Sequence, residues 1–375
     1  MQFRDLKAQY EHLKKEIDLQ IQQVIDSSAF ILGQQVEKVE NMLAEYVGVK
    51  HCVSCANGTD ALQLVLMAWG IGEGDAVFTS DFTYFASAGS ASILGATPVL
   101  TDIDERTFNM DPDSLEEQIQ RVLTEGKLIP KVIVTVDLFG QPAEYDRIEK
   151  IAQKYNLKIL EDGAQGFGGK IGTKRACAFG DAATTSFFPA KPLGCYGDGG
   201  AIFTNDDQMD QLLRSLRMQG RSPQDKYDNR LIGMNSRLDT LQAAILIPKF
   251  KAFAEEELAA VNRVAEWYTE LLGSRVVTPL VKDGYYSSWA QYTLLLKDEQ
   301  QRSEIQSALK AQGIPSMIYY PRGLHQQTAY AALNYPDEWY PNTNKATKSV
   351  LSLPMHPYLK KEDVQQVCRC ILSAI

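Results

Sequence analysis

The segment Leu160-Glu161-Asp162-Gly163-Ala164-Gln165 follows one apolar run, and the segment Ser186-Phe187-Phe188-Pro189-Ala190-Lys191 follows the next. Each places polar or charged side chains directly after residues that form a predicted buried strand. Where parallel strands alternate with helices, ligands bind in the crevice at the carboxyl ends of the strands. The two segments therefore predict a ligand site at a sheet edge, with Asp162 and Lys191 as its candidate residues.

Short apolar runs continue on both sides of these segments, with helical patterns between them. The predicted strands cover residues 52–55, 76–80, 97–103, 132–138, 158–161, 182–187 and 201–204. The predicted helices between them include residues 61–69, 115–124 and 145–155. Runs rich in Val, Ile and Leu that alternate with helices indicate a mainly parallel sheet covered on both faces. We therefore expect an α/β domain over residues 1–250, with a helical N-terminal segment from about residue 13 to residue 47.

A second domain is expected because a chain of 375 residues is too long for one ordinary core. Residues 251–272 predict one long helix, with Val261, Val264 and Trp267 at helical spacing. Beyond it, residues 291–296 and 316–320 predict strands, and residues 303–312 predict a helix. These elements predict a smaller α+β domain over residues 251–375.

The bulk composition excludes several classes of partner. The formal net charge is −9, with acidic and basic residues mixed along the chain, which argues against non-specific binding of nucleic acid. The first residues lack the apolar run of a signal peptide, and no stretch reaches the length of a membrane helix. We therefore expect a cytoplasmic protein that binds neither nucleic acid nor membrane.

The six cysteines do not predict a metal or redox site. Cys52 and Cys55 form a CxxC, but they lie in a predicted strand, where residues three apart point to opposite faces. We expect structural cysteines in a reducing compartment and no bound metal.

Asp162 and Lys191 carry the predicted chemistry. A carboxylate after a buried strand needs a partner, and a protonated pyridine nitrogen would suit it. The alternative for Asp162 is a helix cap with no ligand. A lysine held among Pro and Gly turns and partly desolvated has a lowered pKa, which makes Schiff-base chemistry possible. The alternative for Lys191 is an ordinary solvated loop residue. The glycine-rich run at residues 197–200 leads into a strand rather than a helix, so it is a weak dinucleotide signal.

Two predicted helix starts add candidate anion ligands. Gly58 and Thr59, between a strand and a helix, would offer backbone N–H groups and a hydroxyl to a phosphate. Asn235 and Arg237 precede another helical run and would reach a phosphate. That phosphate could belong to the same subunit or to a neighbouring one. The alternative in both places is a helix cap without a ligand, with a surface ion pair at the second.

Taken together, these segments resemble the DegT/DnrJ/EryC1/StrS family of sugar aminotransferases, which have the aspartate-aminotransferase fold (fold type I). The EDxAQ segment at residue 161 and the SFxxxK segment at residue 186 carry the resemblance. It extends from Phe3-Arg4-Asp5-Leu6 to Leu353-Pro354-Met355-His356-Pro357-Tyr358. The resemblance implies a pyridoxal 5'-phosphate cofactor that passes through a pyridoxamine form, and a homodimer with shared active sites.

The resemblance also implies individual roles. Lys191 would form the Schiff base with the cofactor and shuttle the proton, while Asp162 would keep the pyridine nitrogen protonated. Gln165 would contact the 3-oxygen of the ring, and the ring of Tyr84 would stack on it. The residues implied to bind the cofactor phosphate are Gly58, Thr59, Ser186 and, from the partner subunit, Asn235. One branch of the family has histidine in place of the lysine and catalyses dehydration, so Lys191 favours the aminotransferase branch.

The sequence identifies the acceptor sugar less precisely than the cofactor. The segments at residues 194–200, 235–244 and 289–293 look most like the subgroup that aminates C3 of a UDP-linked 2-acetamido-3-keto-hexuronic acid. Two features depart from it: Tyr319-Tyr320-Pro321 stands where a histidine is expected before Tyr-Pro, and residues 220–227 lack paired basic residues. The candidate substrate ligands are Arg237, Tyr319, Tyr320 and His325. Further candidates for a carboxylate or diphosphate are Arg221, Lys226, Arg230 and Arg322.

We expect L-glutamate as the amino donor, which is usual in this family. The alternatives are a dTDP-linked 3- or 4-keto-6-deoxy sugar as acceptor, and a non-catalytic regulator built on the same fold. The presence of Lys191 and Asp162 argues against the regulator. A nicotinamide-dependent enzyme is disfavoured because no strand–GxGxxG–helix unit occurs.

Overall fold

The computed structural model describes residues 1–225 and 227–375. Its helices are α1 Leu6–Ser27, α2 Gln34–Val47, α3 Gly58–Ala68, α4 Ala86–Ile93, α5 Pro112–Glu125, α6 Tyr145–Tyr155, α7 Asp207–Leu216, α8 Thr240–Ala252, α9 Leu258–Leu272, α10 Glu299–Ala311, α11 Pro341–Ser349 and α12 Lys361–Leu372. Its strands are β1 His51–Cys55, β2 Asp75–Ser80, β3 Thr97–Thr101, β4 Ile129–Val136, β5 Lys158–Asp162, β6 Lys170–Ile171, β7 Lys174–Arg175, β8 Ala182–Ser186, β9 Gly200–Thr204, β10 Tyr285–Tyr286, β11 Tyr292–Leu295 and β12 Val350–Leu353.

Within the described residues the main sheet has seven strands in the order β1-β9-β8-β5-β4-β2-β3. Neighbours from β3 to β8 pair in parallel, and β9 is antiparallel to both β8 and β1. The carboxyl ends of β1, β2, β4, β5 and β8 therefore lie at one edge, where β9 begins. The predicted mainly parallel sheet is confirmed, and its carboxyl edge carries the candidate site.

Both faces of this sheet are covered, as a parallel sheet requires. Cys52 packs with Val39 and Phe203 on one face, whereas Cys55 packs with Leu64 in the core on the other. The two cysteines of the CxxC thus point to opposite faces.

The chain from residue 240 to residue 272 differs from the prediction. Instead of a separate helix beginning at residue 251, α8 continues through a π-helical turn, Phe253–Glu257, directly into α9. A π turn adds a residue to the helical repeat and changes the direction of the side chains that follow. The predicted domain boundary near residue 250 falls inside this continuous helix, and the division into two domains stays a prediction.

The C-terminal part contains one correct and one wrong strand prediction. Strand β11, predicted from residues 291–296, pairs antiparallel with β12, which was not predicted. The strand predicted at residues 316–320 is wrong, because only an isolated bridge joins Met317 to Ser352. Pro315 and Pro321 flank this segment, and a proline has no N–H to extend a ladder. Helices α9, α10 and α12 pack around β11 and β12 in one apolar core.

No helix in residues 1–225 or 227–375 is long and apolar enough to cross a membrane.

Candidate active site

Asp162 ends β5 and is buried, with 6% of its surface exposed. Ser87 Oγ donates to Asp162 Oδ2 at 2.8 Å, and the backbone N–H of Ala164 donates to Oδ1 at 3.2 Å. Within the described parts of the chain, no cationic side chain pairs with it inside 4 Å. Burial therefore raises the pKa of Asp162 despite Ser87 and the more distant Lys191. A positively charged ligand atom beside Asp162 would stabilise its ionised carboxylate and lower its pKa again.

Lys191 lies in the loop between β8 and β9. Its N–H donates to the carbonyl of Phe188 at 2.9 Å, and Cys195 N–H donates to the carbonyl of Phe187 at 2.8 Å. These bonds hold the loop in a tight turn with the lysine half-buried. Burial lowers the pKa of the Lys191 amine, Asp162 opposes that shift, and Arg4 adds to it. The lowered pKa favours a neutral amine capable of nucleophilic attack.

A close approach of two loops lies at the start of α3. Asn57 caps the helix by accepting from Asp60 N–H at 2.8 Å. A Cβ at Gly58 would stand 2.7 Å from Ser186 Cβ, so only glycine lets the two segments meet. Thr59 is the next residue of this helix terminus. Gly58, Thr59 and Ser186 are therefore brought together where a helix dipole favours an anion.

Gln165 connects this edge to the C-terminal part. Its Oε1 accepts from Phe139 N–H at 2.9 Å, and its Nε2 donates to the hydroxyl of Tyr320 at 3.2 Å. The amide nitrogen carries two hydrogens, which leaves one to donate to a ligand oxygen. Burial raises the pKa of Tyr320, so its hydroxyl stays protonated.

Tyr84 leads into α4, one helical turn before the Asp162 partner Ser87. In the single chain its side chain is 59% exposed. An exposed ring beside this edge is open to stack on a planar ligand.

Asn235 and Arg237 lie apart from these residues, near the surface. Asn235 is exposed and bridges to Met218, and it lines an open cleft with Gln219 and Gly233. Arg237 is half-buried; its Nη1 lies 4.0 Å from Met218 Sδ, and no acidic side chain in the described chain pairs with it within 4 Å. The structure therefore leaves both side chains available to a ligand or a second subunit.

The other basic candidates differ in their surroundings. Arg230 pairs with Asp228 at 2.7 Å, and Arg322 is exposed. Arg221 bridges to Asn229 through the backbone. Lys226 lies outside the described residues.

His325 does not suit the predicted substrate role. Its Nδ1 lies 2.6 Å from Asp81 Oδ2, its Nε2 lies 2.8 Å from Asp337 Oδ1, and its ring stacks on Tyr340. Burial lowers the pKa of His325, but the two carboxylates outweigh it and raise the pKa above its ordinary value. Since both ring nitrogens are engaged, the geometry favours a structural role over contact with substrate. Tyr319, by contrast, is half-buried, and its ring meets that of Phe3 at a centroid distance of 6.3 Å.

The sequence prediction missed two residues that contact the candidate site. Ser87 holds Asp162, and Arg4 donates to the carbonyl of Ala190, next to Lys191. Ser87 lies three residues after Tyr84, at the first turn of a short helix. Neither residue stands in a pattern that distinguishes it from surface serines and arginines, because both partners are distant in sequence.

These residues fit pyridoxal phosphate. Buried Asp162 offers an unpaired carboxylate to a protonated pyridine nitrogen, and half-buried Lys191 offers an amine with a lowered pKa. The approach of Gly58 to Ser186 at the helix terminus leaves backbone and hydroxyl donors for a phosphate. Gln165 retains one amide hydrogen for a ring oxygen. The donor set thus matches the charges of the cofactor.

Comparison with known proteins agrees with this geometry. The sequence model of the DegT/DnrJ/EryC1/StrS aminotransferase family matches residues 11–372. The chain is 45% identical over 376 residues to UDP-2-acetamido-2-deoxy-3-oxo-D-glucuronate aminotransferase of Pseudomonas aeruginosa, with 100% of both proteins covered. It is 44% identical over 366 residues to a pleiotropic regulatory protein of Geobacillus stearothermophilus, covering 97% of this chain and 95% of that protein. A solved DegT DnrJ EryC1 StrS aminotransferase from Brucella abortus superposes with a TM-score of 0.96 at 44% identity, covering 100% of this chain and 99% of that one.

Proposed function

Because the chain belongs to the DegT/DnrJ/EryC1/StrS family and is therefore a pyridoxal-phosphate-dependent aminotransferase, we propose that it moves the amino group of L-glutamate to a keto group of a nucleotide-linked sugar. The proposed acceptor carbon is C3 of a UDP-linked 2-acetamido-3-keto-hexose or hexuronic acid. The Pseudomonas relative, named for such a 3-oxo sugar, supports this choice.

The observation that carries the proposal is that one sheet edge holds a buried carboxylate without a cationic partner among the described residues, Asp162, and a half-buried amine with a lowered pKa, Lys191. When bound, the cofactor supplies an electron sink for the amino-group transfer. Asp162 would hold a proton on the pyridine nitrogen, while Ser87 fixes the direction of its Oδ2. Gly58, Thr59 and Ser186 would bind the phosphate.

Lys191 would perform two tasks through one atom. Its Nζ would hold the cofactor covalently between turnovers, and it would then carry the proton that the transfer moves. Both tasks need an amine that is neutral in part of the cycle, which the burial of Lys191 supports. The proposed Gln165 contact with a ring oxygen and the proposed Tyr84 stack would keep the ring fixed while the proton moves.

A homodimer is part of the proposal. The side chains of Phe30, Ile31 and Ile232 are 46%, 49% and 90% exposed. The backbone of residues 30–31 contacts residues 239–240, so this apolar surface lies close in the chain to Asn235. Large apolar side chains that are exposed in the single chain favour a protein interface. We propose that Asn235 reaches the cofactor phosphate of the partner subunit.

A dTDP-linked keto-6-deoxy sugar is the second candidate acceptor. Tyr319 favours it, since an aromatic side chain replaces the histidine expected for a uronate enzyme. Arg237, which lacks an acidic partner in the described chain, favours instead an acceptor whose sugar carries a carboxylate, such as a hexuronic acid. We propose Arg237, Tyr319 and Tyr320 as the residues that contact the sugar.

The proposal is tested by comparing acceptors directly. The holoenzyme is incubated with L-glutamate and, separately, with a UDP-linked 3-keto-hexuronic acid, a UDP-linked 3-keto-hexosamine and a dTDP-linked keto-6-deoxy sugar. Formation of 2-oxoglutarate and the mass of the amino sugar are measured. We expect a kcat/KM at least about tenfold higher for a UDP-linked acceptor, equivalent to about 1.4 kcal/mol. A higher kcat/KM for the dTDP-linked sugar would reverse the assignment.

A further inference from the structure

Arg4 joins three distant parts of the chain. Its Nε donates to the carbonyl of Ala190 at 2.9 Å, and its Nη1 donates to the carbonyl of Met355 at 3.0 Å. The backbone is fixed from the other side as well, because Met355 N–H donates to the carbonyl of Phe3 at 3.1 Å. A single guanidinium therefore links the residue preceding Lys191 to the segment that follows β12.

Glu257 is the acidic side chain that acts most strongly on Arg4. Burial lowers the pKa of Arg4 to about 10, while Glu257 opposes that shift, with a smaller contribution from Tyr319. Glu257 is the last residue of the π-helical turn and is 6% exposed. Both of its oxygens accept from Gln9 Nε2 at 3.0 Å, and Tyr358 donates to Oε1 at 2.5 Å.

Other titratable groups also face this cluster. The Lys249 side chain is buried and lies over the ring of Tyr196 at 4.7 Å from its centroid, and burial lowers its pKa to about 8. Burial also lowers the pKa of His356 to about 4, so this imidazole is neutral at pH 7. The cluster thus holds two cationic side chains, half-buried Arg4 and buried Lys249, around one buried acidic side chain, Glu257.

We propose that Arg4 is a positioning residue for Lys191: by holding the Ala190 carbonyl against the Met355 segment, it fixes the turn from which the lysine side chain projects. This inference rests on the proposed role of Lys191. A lysine side chain is long and flexible, so its amine can reach many positions. Fixing the backbone turn limits those positions to a region around the turn. The positive charge of Arg4 also disfavours a proton on the Lys191 amine, which serves the same chemistry.

Two substitutions separate the geometry from the charge. Arg4→Gln removes the guanidinium and its charge, and Arg4→Lys keeps the charge but loses the two-carbonyl fork. Arg302→Gln is the matched control, because Arg302 is buried and, like Arg4, donates to a backbone carbonyl, that of Thr347, at 2.5 Å. Arg302 lies in α10, and its contacts among the described residues are with Thr347 and Glu299, away from the lysine loop.

The readouts are the pH titration of the Schiff-base absorbance band, kcat and KM measured separately, and the thermal midpoint of each variant. We expect Arg4→Gln to raise the titration midpoint by about 0.5–1 pH unit, since a nearby positive charge is lost. We expect its kcat to fall about tenfold or more, because the Lys191 amine would no longer be held where the proton transfer needs it. We expect KM to change little. Arg4→Lys should keep the wild-type midpoint and lose several-fold in kcat.

Three outcomes overturn the inference. The first is an Arg4→Gln enzyme with the wild-type midpoint and kcat. The second is an Arg302→Gln enzyme that loses as much kcat as Arg4→Gln. The third applies if Arg4→Gln does not fold: an Arg4→Lys enzyme whose kcat equals that of the wild type would then overturn the inference. Absence of the band in the wild type would instead refute the proposed role of Lys191 itself, which keeps the two failures distinct.

Discussion

Two buried carboxylates of the first 250 residues have the same exposure and opposite surroundings. Glu40 and Asp162 are each 6% exposed. Glu40 accepts from Arg217 Nη1 at 2.7 Å and from Arg214 Nη1 at 2.8 Å, and Ser54 donates to it as well. Asp162 accepts only from a serine hydroxyl and one backbone N–H among the described residues.

The pKa values of Glu40 and Asp162 shift in opposite directions, and their charged partners rather than their burial account for the difference. Burial by itself would raise both, yet Arg217 and Arg214 lower the pKa of Glu40, whereas the pKa of Asp162 is raised. The chain itself neutralises Glu40, which identifies a structural ion cluster. At Asp162 no described residue supplies the neutralising charge, as expected where a cofactor supplies it.

The largest expected effect comes from removing the amine opposite Asp162. Lys191→Ala should abolish turnover and the Schiff-base band, because one Nζ atom performs both attachment and proton transfer. The matched control is Lys249→Met, which removes a buried lysine outside the candidate site and should keep the band. Turnover by a pure Lys191→Ala enzyme would refute the assignment.

Asp162→Asn should lower kcat about a hundredfold, since a neutral amide cannot keep the pyridine nitrogen protonated. Its cofactor-free form should be at least as stable as the wild type, because a buried carboxylate without a cationic partner is removed. Steady-state kinetics and urea unfolding of the apoprotein check the two halves. A large loss of apoprotein stability at full kcat would make Asp162 structural, like Glu40.

Glu40→Gln should give the inverse result. It leaves Arg217, 5% exposed, without its carboxylate, so the free energy of unfolding should fall by about 3–5 kcal/mol while kcat of the folded enzyme is kept. The lowered pKa of Glu40 means that this stabilisation is present above the ordinary value of 4.5 and is lost as pH falls through the folded-state pKa below it. Urea midpoints from pH 7 to pH 3 should therefore converge for the two proteins. Midpoints that stay equally far apart in acid would contradict the ion pairing.

His325→Gln should have the smallest effect, about 2 kcal/mol of stability at pH 6, because it removes a buried charged hydrogen bond to Asp81. The raised pKa of His325 places its stabilisation below the ordinary value of 6.5 and removes it as pH rises through the higher folded-state pKa. The difference in thermal midpoint should thus shrink at alkaline pH. A severalfold rise in KM for the acceptor at unchanged stability would return His325 to the substrate site.

The sequence predicted those elements whose pattern is local. Each of the seven main strands is an apolar run between turn residues, and all of them are found. The segment at residues 316–320 has a similar run, but its pairing depends on β12, more than thirty residues away. The π-helical turn at residues 253–257 was missed because its Ala- and Glu-rich sequence also suits an α-helix.

The candidate site divides in the same way. Asp162 ends a strand and Lys191 follows one, so their positions were predictable from the chain around them. The contacts of Arg4 and His325 were not predictable in this way, because their partners, Ala190 and Asp81, lie 186 and 244 residues away. Spacing along one chain cannot reveal which distant carbonyl or carboxylate will meet a side chain.

The most direct test of the assignment of Asp162 and Lys191 as an active site is an absorbance spectrum of the purified protein with pyridoxal phosphate, before and after L-glutamate is added. We expect a visible Schiff-base band that disappears when glutamate is added, while a pyridoxamine band grows in the near ultraviolet. A protein that binds the cofactor but does not respond to glutamate would contradict the proposed donor. A protein that forms no band at all would contradict the assignment of Lys191 and Asp162 as an active site.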